Sequence, residues 1–152
     1  MSAEHLFEGS LNWDGQPPDR AFDYPNLHRG TRIEFDGGAS LTASAPSIFH
    51  GDDRQPNPET LMMASLMQCH FLTFMAVAIK TGLRVTAYSD RTSGRLGMKD
   101  GKMRFVEVVL RPHVAFAEPV DAAKLASLHD KAHRNCFMSN SVNFTVRVEP
   151  AG

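Results

Sequence analysis

The chain has 152 residues, with 16 Lys and Arg against 17 Asp and Glu, seven His and two Cys. That length fits one domain over residues 1–152, and 42% apolar with 22% charged residues excludes bulk disorder. A net charge of −1 offers no cation cluster for a nucleic acid, and two cysteines are too few for a secreted disulfide framework. The opening Met1-Ser2-Ala3-Glu4-His5 has neither the basic nor the apolar region of a signal peptide, so a reducing cytoplasm is the expected location.

Apolar and polar residues roughly alternate from His5 to Trp13, from Thr31 to Phe35 and from Ala39 to Ser44. With Asp36-Gly37-Gly38 between the last two runs, this reads as a strand followed by a hairpin. The stretch Asp14–Arg29 contains Gly15, Pro17, Pro18 and Pro25, which favour an irregular connection, and a second loop runs from Pro46 to Pro56. Asn57-Pro58-Glu59 then carries a capping residue, a proline suited to the first helical position and an acid that complements the helix dipole. The helix this starts near Pro58 should end at Lys80-Thr81-Gly82, where a cation and a left-handed cap coincide.

Within that helix, Leu61–Ile79 holds no Asp, Glu, Lys or Arg and is long enough to span a bilayer. Ser65, Gln68, His70 and Thr73 lie along its middle, and no second such segment exists to partner it, so a helix buried on most faces of a soluble protein is the better expectation. After Gly82, Leu83–Arg95 and Lys102–Phe116 read as two long strands joined by the turn Met98-Lys99-Asp100-Gly101. Pro119 introduces a second helix running to about Arg134, and Val142–Val148 alternates as a last strand. The expected class is α+β, with antiparallel sheets packed around a long buried central helix.

Cys69 lies in the apolar helix between Gln68 and His70, and Cys136 follows His133-Arg134-Asn135. Free cysteines often serve as small buried hydrophobes. A reactive thiol at mid-helix gains little from the helix dipole and needs an external cation. Arg29 and Arg32 stand at the mouth of the first hairpin, and Glu59 at the start of the helix is a candidate partner for a guanidinium held against a thiolate.

The strings Asn57-Pro58-Glu59-Thr60-Leu61, Ala64-Ser65-Leu66 and Cys69-His70-Phe71-Leu72 resemble the central stretch of the OsmC/Ohr family, the osmotically inducible and organic hydroperoxide resistance proteins. The segment from Leu128 to Val142 resembles that family's second cysteine segment, and Val108-Val109-Leu110-Arg111-Pro112 fits between them. His70 stands where Phe is common in the hydroperoxide resistance branch, which points to the OsmC-like side. The resemblance implies a thiol-dependent peroxidase without a cofactor, with Cys69 as the peroxidatic cysteine, Cys136 as the resolving cysteine and Glu59 as partner of the active-site arginine. Arg29 fits that arginine by spacing, with Arg32 in reserve. The implied substrate is an organic hydroperoxide, and the implied reductant is a lipoylated protein or another dithiol.

Ten residues of helix put about 15 Å between Glu59 and Cys69, too far for one guanidinium to touch both on a straight helix. An intertwined homodimer that brings Glu59 of one copy towards Cys69 of the other resolves this, and the family implies the same assembly. Two alternatives come from other classes. One is a zinc protein using His129, His133 and Cys136, with Cys69 and His70 in reach; the other is a non-catalytic OsmC-like dimer.

Overall fold

Turn chemistry organises the N-terminal part into a small sheet. Strand β1 (Gly9–Asn12) pairs antiparallel with β2 (Thr31–Phe35), which pairs antiparallel with β3 (Ser40–Ala43). The β2–β3 connection turns through Asp36–Gly38, where Gly37 and Gly38 take φ of 84° and 91°, a region open to glycine without steric cost. The first strand is shorter than the His5–Trp13 alternation suggests, since only Gly9–Asn12 finds a partner strand. The computed structural model describes residues 3–151; Met1 and Ser2, which open the segment read against a signal peptide, and Gly152 lie outside the described residues. The chain divides into two compact units, residues 1–61 and 62–152.

Helix α1 (Pro58–Lys80) starts where the cap signals placed it. The Asn57 side chain accepts from the Thr60 N–H at 2.9 Å, and Thr60 Oγ1 accepts from the Asn57 N–H at 2.9 Å, a reciprocal cap that satisfies two donors the helix start leaves open. At the other end Gly82 takes a φ of 74°. Residues 83–116 form four strands: β4 (Val85–Asp90), β5 (Ser93–Lys99), β6 (Lys102–Leu110) and β7 (Pro112–Phe116). The long hairpin expected there breaks in two, with β5 and β6 joined through Asp100-Gly101 while β4 pairs with β7 in a separate sheet. The break has a local cause. Asp90 Oδ1 accepts from the Arg111 N–H at 2.8 Å and from Thr92 Oγ1 at 3.0 Å, so a side chain takes over where the ladder would run.

Helix α2 (Ala122–Asn135) is capped by Asp121, whose carboxylate accepts from the Lys124 N–H at 2.8 Å. The last strand, β8 (Thr145–Val148), lies parallel to β6, so one pairing in this α+β fold departs from the all-antiparallel expectation. Within residues 62–152, two apolar clusters form the core. Leu66, Val108, Leu110 and Val146 make one, and Phe74, Ala78, Leu128 and Ala132 the other. The helix α1 buries a single stripe, Leu66, His70, Phe74 and Ala78, at the i, i+4 spacing of one face. Leu72 stays 55% exposed and Ile79 69%, so within one chain the helix is not buried on most faces.

Candidate active site

Two thiols and two imidazoles converge in the unit of residues 62–152. Cys69 lies mid-way along α1 and is half-buried, whereas Cys136 forms the C-cap of α2 and is fully buried. Neither is in a disulfide. Their side chains are close enough for Cys69 to influence Cys136, so the fold joins two cysteines that the sequence holds far apart. Burial pushes the Cys136 thiol up; Ser139, whose backbone N–H donates to Cys136 Sγ at 3.5 Å, works against that, and the neighbouring Cys69 adds to the rise. Cys136 is therefore a protonated thiol at neutral pH, near the Cys69 side chain.

The residue after Cys69 lies on the buried stripe of α1. His70 Nε2 is 3.0 Å from His129 Nδ1 of α2, and the two rings stack with an interplanar angle of 9°. Phe74 stacks on His129 with ring centroids 4.4 Å apart. Burial holds His70 down to about 4, with His129 and His133 repelling its charged form. His129 is also held down to about 4 by burial, against a small opposing pull from Asp130. Both rings are therefore neutral near pH 7, and one donates while the other accepts.

Among the described residues no group of three or more His, Cys, Asp or Glu side chains is arranged to hold a metal ion, so this chain does not assemble the ligand set of the zinc alternative. The sequence reading put His70 in reach of His129 as a fellow metal ligand and not as its hydrogen-bond partner. The available signal was the position of His70, which shares a face with Leu66, Phe74 and Ala78.

The unit of residues 1–61 holds the remaining candidates. Arg29 donates through Nη1 to the Leu27 carbonyl at 2.9 Å and through Nη2 to the Tyr24 carbonyl at 2.6 Å, with its guanidinium carbon 4.7 Å from the centre of the Tyr24 ring. Arg32 lies on β2, ion-paired with Glu34 at 2.7 Å and donating to Ser40 Oγ at 3.1 Å. Arg29 lines an apolar cavity of about 550 Å³ whose wall includes Leu11, Trp13, Phe22, Leu27 and Ile33, and Arg32 does not. Glu59, in the first turn of α1, forms no ion pair with either arginine, and its Oε2 is buried without a hydrogen-bond partner. A buried carboxylate oxygen left open in this way is costly unless a donor reaches it.

Comparison with known proteins places these features in a family. Residues 51–151 match the model of the OsmC-like proteins. An OsmC-like protein of unknown function from Vibrio cholerae has a solved structure that superposes with a TM-score of 0.90 at 32% identity, covering 97% of this chain and 100% of that one. A Legionella pneumophila structure described as an organic hydroperoxide resistance protein OsmC superposes with a TM-score of 0.76 at 19% identity, covering 99% and 100%. The uncharacterized protein YmaD of Bacillus subtilis is 24% identical over 150 residues, 97% of this chain and 93% of its own length.

Proposed function

The chain belongs to the OsmC-like protein family, and from that premise we propose that it is a cytoplasmic thiol-dependent peroxidase that reduces organic hydroperoxides to alcohols. The observation that carries the reading is the pair of free thiols, Cys69 half-buried and Cys136 buried, set side by side. In the proposed cycle the Cys69 sulfur attacks the distal oxygen of R–O–O–H. The O–O bond breaks, the alkoxide takes a proton and leaves as R–OH, and Cys69 becomes a sulfenic acid. The Cys136 sulfur then displaces water from that sulfenic acid, closing a Cys69–Cys136 disulfide, and an external dithiol, a lipoylated protein or a small molecule, returns both to thiols.

Arg29 is the guanidinium assigned to the developing negative charge, with Arg32 less suited because Glu34 and Ser40 occupy it. The open Oε2 of Glu59 is the acceptor that would orient Arg29 once the two meet. The apolar lining of the cavity beside Arg29 suits an alkyl chain better than hydrogen peroxide. We read both units as one domain completed in an intertwined homodimer, in which a second copy brings the arginine and carboxylate of one chain to the thiols of the other. The apolar outer face of α1, including Leu72 and Ile79, then finds burial in the dimer rather than in a membrane, although α1 is long and apolar enough to cross one.

A lipoamide-coupled assay on cumene hydroperoxide and hydrogen peroxide tests this. Cys69→Ser is expected to abolish turnover, and Cys136→Ser to consume one equivalent of peroxide and stop. Full activity in Cys69→Ser refutes the reading. Wild-type protein that forms no disulfide with peroxide supports the non-catalytic dimer instead.

A further inference from the structure

We propose that His70 and His129 are positioning residues for the thiol pair: their hydrogen bond fixes the seat of α2 on α1 and so sets how Cys136 approaches Cys69. The inference rests on the reading that the two thiols work as a pair.

Each imidazole shares an element with one of the sulfurs, His129 two turns ahead of Cys136. His70 follows Cys69 directly, and His129 shares with Leu128, Ala132 and Cys136 the buried side of α2. Among the described residues, His70 to His129 is the one side-chain hydrogen bond that joins α1 to α2 apart from the thiol contact. The apolar packing of Phe74 and Ala78 against Leu128 and Ala132 supplies burial between the helices. Such packing tolerates small slides and rotations, because its energy depends on area and volume rather than on direction. A ring-to-ring hydrogen bond of 3.0 Å fixes a distance and an angle. Disulfide closure needs that precision, since the bond forms only with S–S near 2.05 Å and a dihedral near 90°.

Stability does not account for the pair. His70 Nδ1 and His129 Nε2 are buried without partners, and both rings must shed their charge to stay inside. An apolar pair of similar volume would carry neither cost. The polar pair adds direction to the helix contact, at the residue that follows Cys69 on α1.

The test uses the full-length protein and closes the disulfide with diamide. The two thiols give up two protons and two electrons to its N=N bond, forming the disulfide and a hydrazine, so no peroxidase activity is needed. In His70→Phe/His129→Phe the melting temperature is expected to equal or exceed wild type, while closure slows by at least about tenfold because the sulfurs are misplaced. Alkylation of Cys69 by iodoacetamide, measured in a Cys136→Ser background, stays unchanged, since the pair acts on approach rather than on reactivity. His129→Asn, with His70 intact, keeps a polar atom near the Nδ1 position and is expected to close at nearly the wild-type rate. Closure at the wild-type rate in the double variant overturns the proposal, as does a wild-type protein that diamide cannot close. Should the double variant fail to fold, His129→Asn against His129→Leu decides, and equal closure rates overturn it. Wild type that closes with diamide but not with cumene hydroperoxide refutes the proposed peroxidase activity and leaves the positioning role intact.

Discussion

The two units of this chain differ in what they bury. Residues 62–152 hold both apolar clusters, with thirteen partly buried hydrophobic side chains packed against them, and they hold both thiols. In residues 3–61 only Ala43 and Asn57 are buried, while Leu6, Phe7, Leu11, Phe22, Tyr24 and Ile48 are exposed. The three-stranded sheet there half-buries Thr31, Ile33 and Leu41 and buries only Ala43 on that face, a thin interior for independent stability. The difference teaches that both sulfurs belong to the unit with a packed interior, whereas the N-terminal unit leaves several large apolar side chains exposed.

Four measurements break or sharpen that contrast. Phe74→Ala removes the centre of a buried cluster and is expected to destabilise the protein by about 3–5 kcal/mol, read from urea unfolding. Acid comes next. His70 and His129 are held down to about 4 in the folded state against 6.5 unfolded, so the unfolded chain takes up protons first. Keeping them buried costs no proton binding above pH 6.5, but the penalty grows as pH drops towards 4, to on the order of 3 kcal/mol for each imidazole. The urea midpoint of His70→Phe/His129→Phe should accordingly be flatter than wild type across that window, and equal slopes would mean that the rings are solvated.

Removing the α1 cap has a smaller effect. Asn57→Ala should lower global stability by about 1 kcal/mol, because the Thr60 N–H loses its acceptor. If the midpoint does not move and only the amides of the first turn exchange faster, the helix start unfolds apart from the rest. The smallest expected effect is that of Phe22→Ser, which should change the stability of a dilute monomer by no more than about 0.5 kcal/mol, since this ring is 77% exposed. In sedimentation the same change should weaken self-association, and an unaltered dimer would show that Phe22 lies outside the covered face.

The limits of α1 were legible because caps are local. Asn57, Pro58 and Gly82 each act within one turn, so the sequence spacing carries the whole signal. Both cysteines were legible as candidates through their neighbours and the family resemblance, and the fold then set them side by side. The split of the long hairpin was not legible, because alternation continues across Asp90 and Arg111 and only the folded side-chain contact reveals the break. The parallel placement of β8 depends on where α2 returns the chain, which no pattern within Val142–Val148 encodes. His70 and His129 were each visible, but the bond between them depends on how two helices pack. Arg29 and Glu59 both lie where expected, and the ion pair imagined between them is absent within the chain.

The parallel seat of β8 beside β6 also bears on how the protein is made. During synthesis β5 and β6 leave the ribosome well before Thr145–Val148, which must wait for all of α2. Until then the far edge of β6 is open, and it carries Val108, Val109 and Leu110, three residues that end up buried. An unpaired apolar edge of this kind invites strand addition from another nascent chain. The last strand therefore acts as a closing seal, and a chain cut short before residue 145 would present its stickiest edge for the whole of its lifetime.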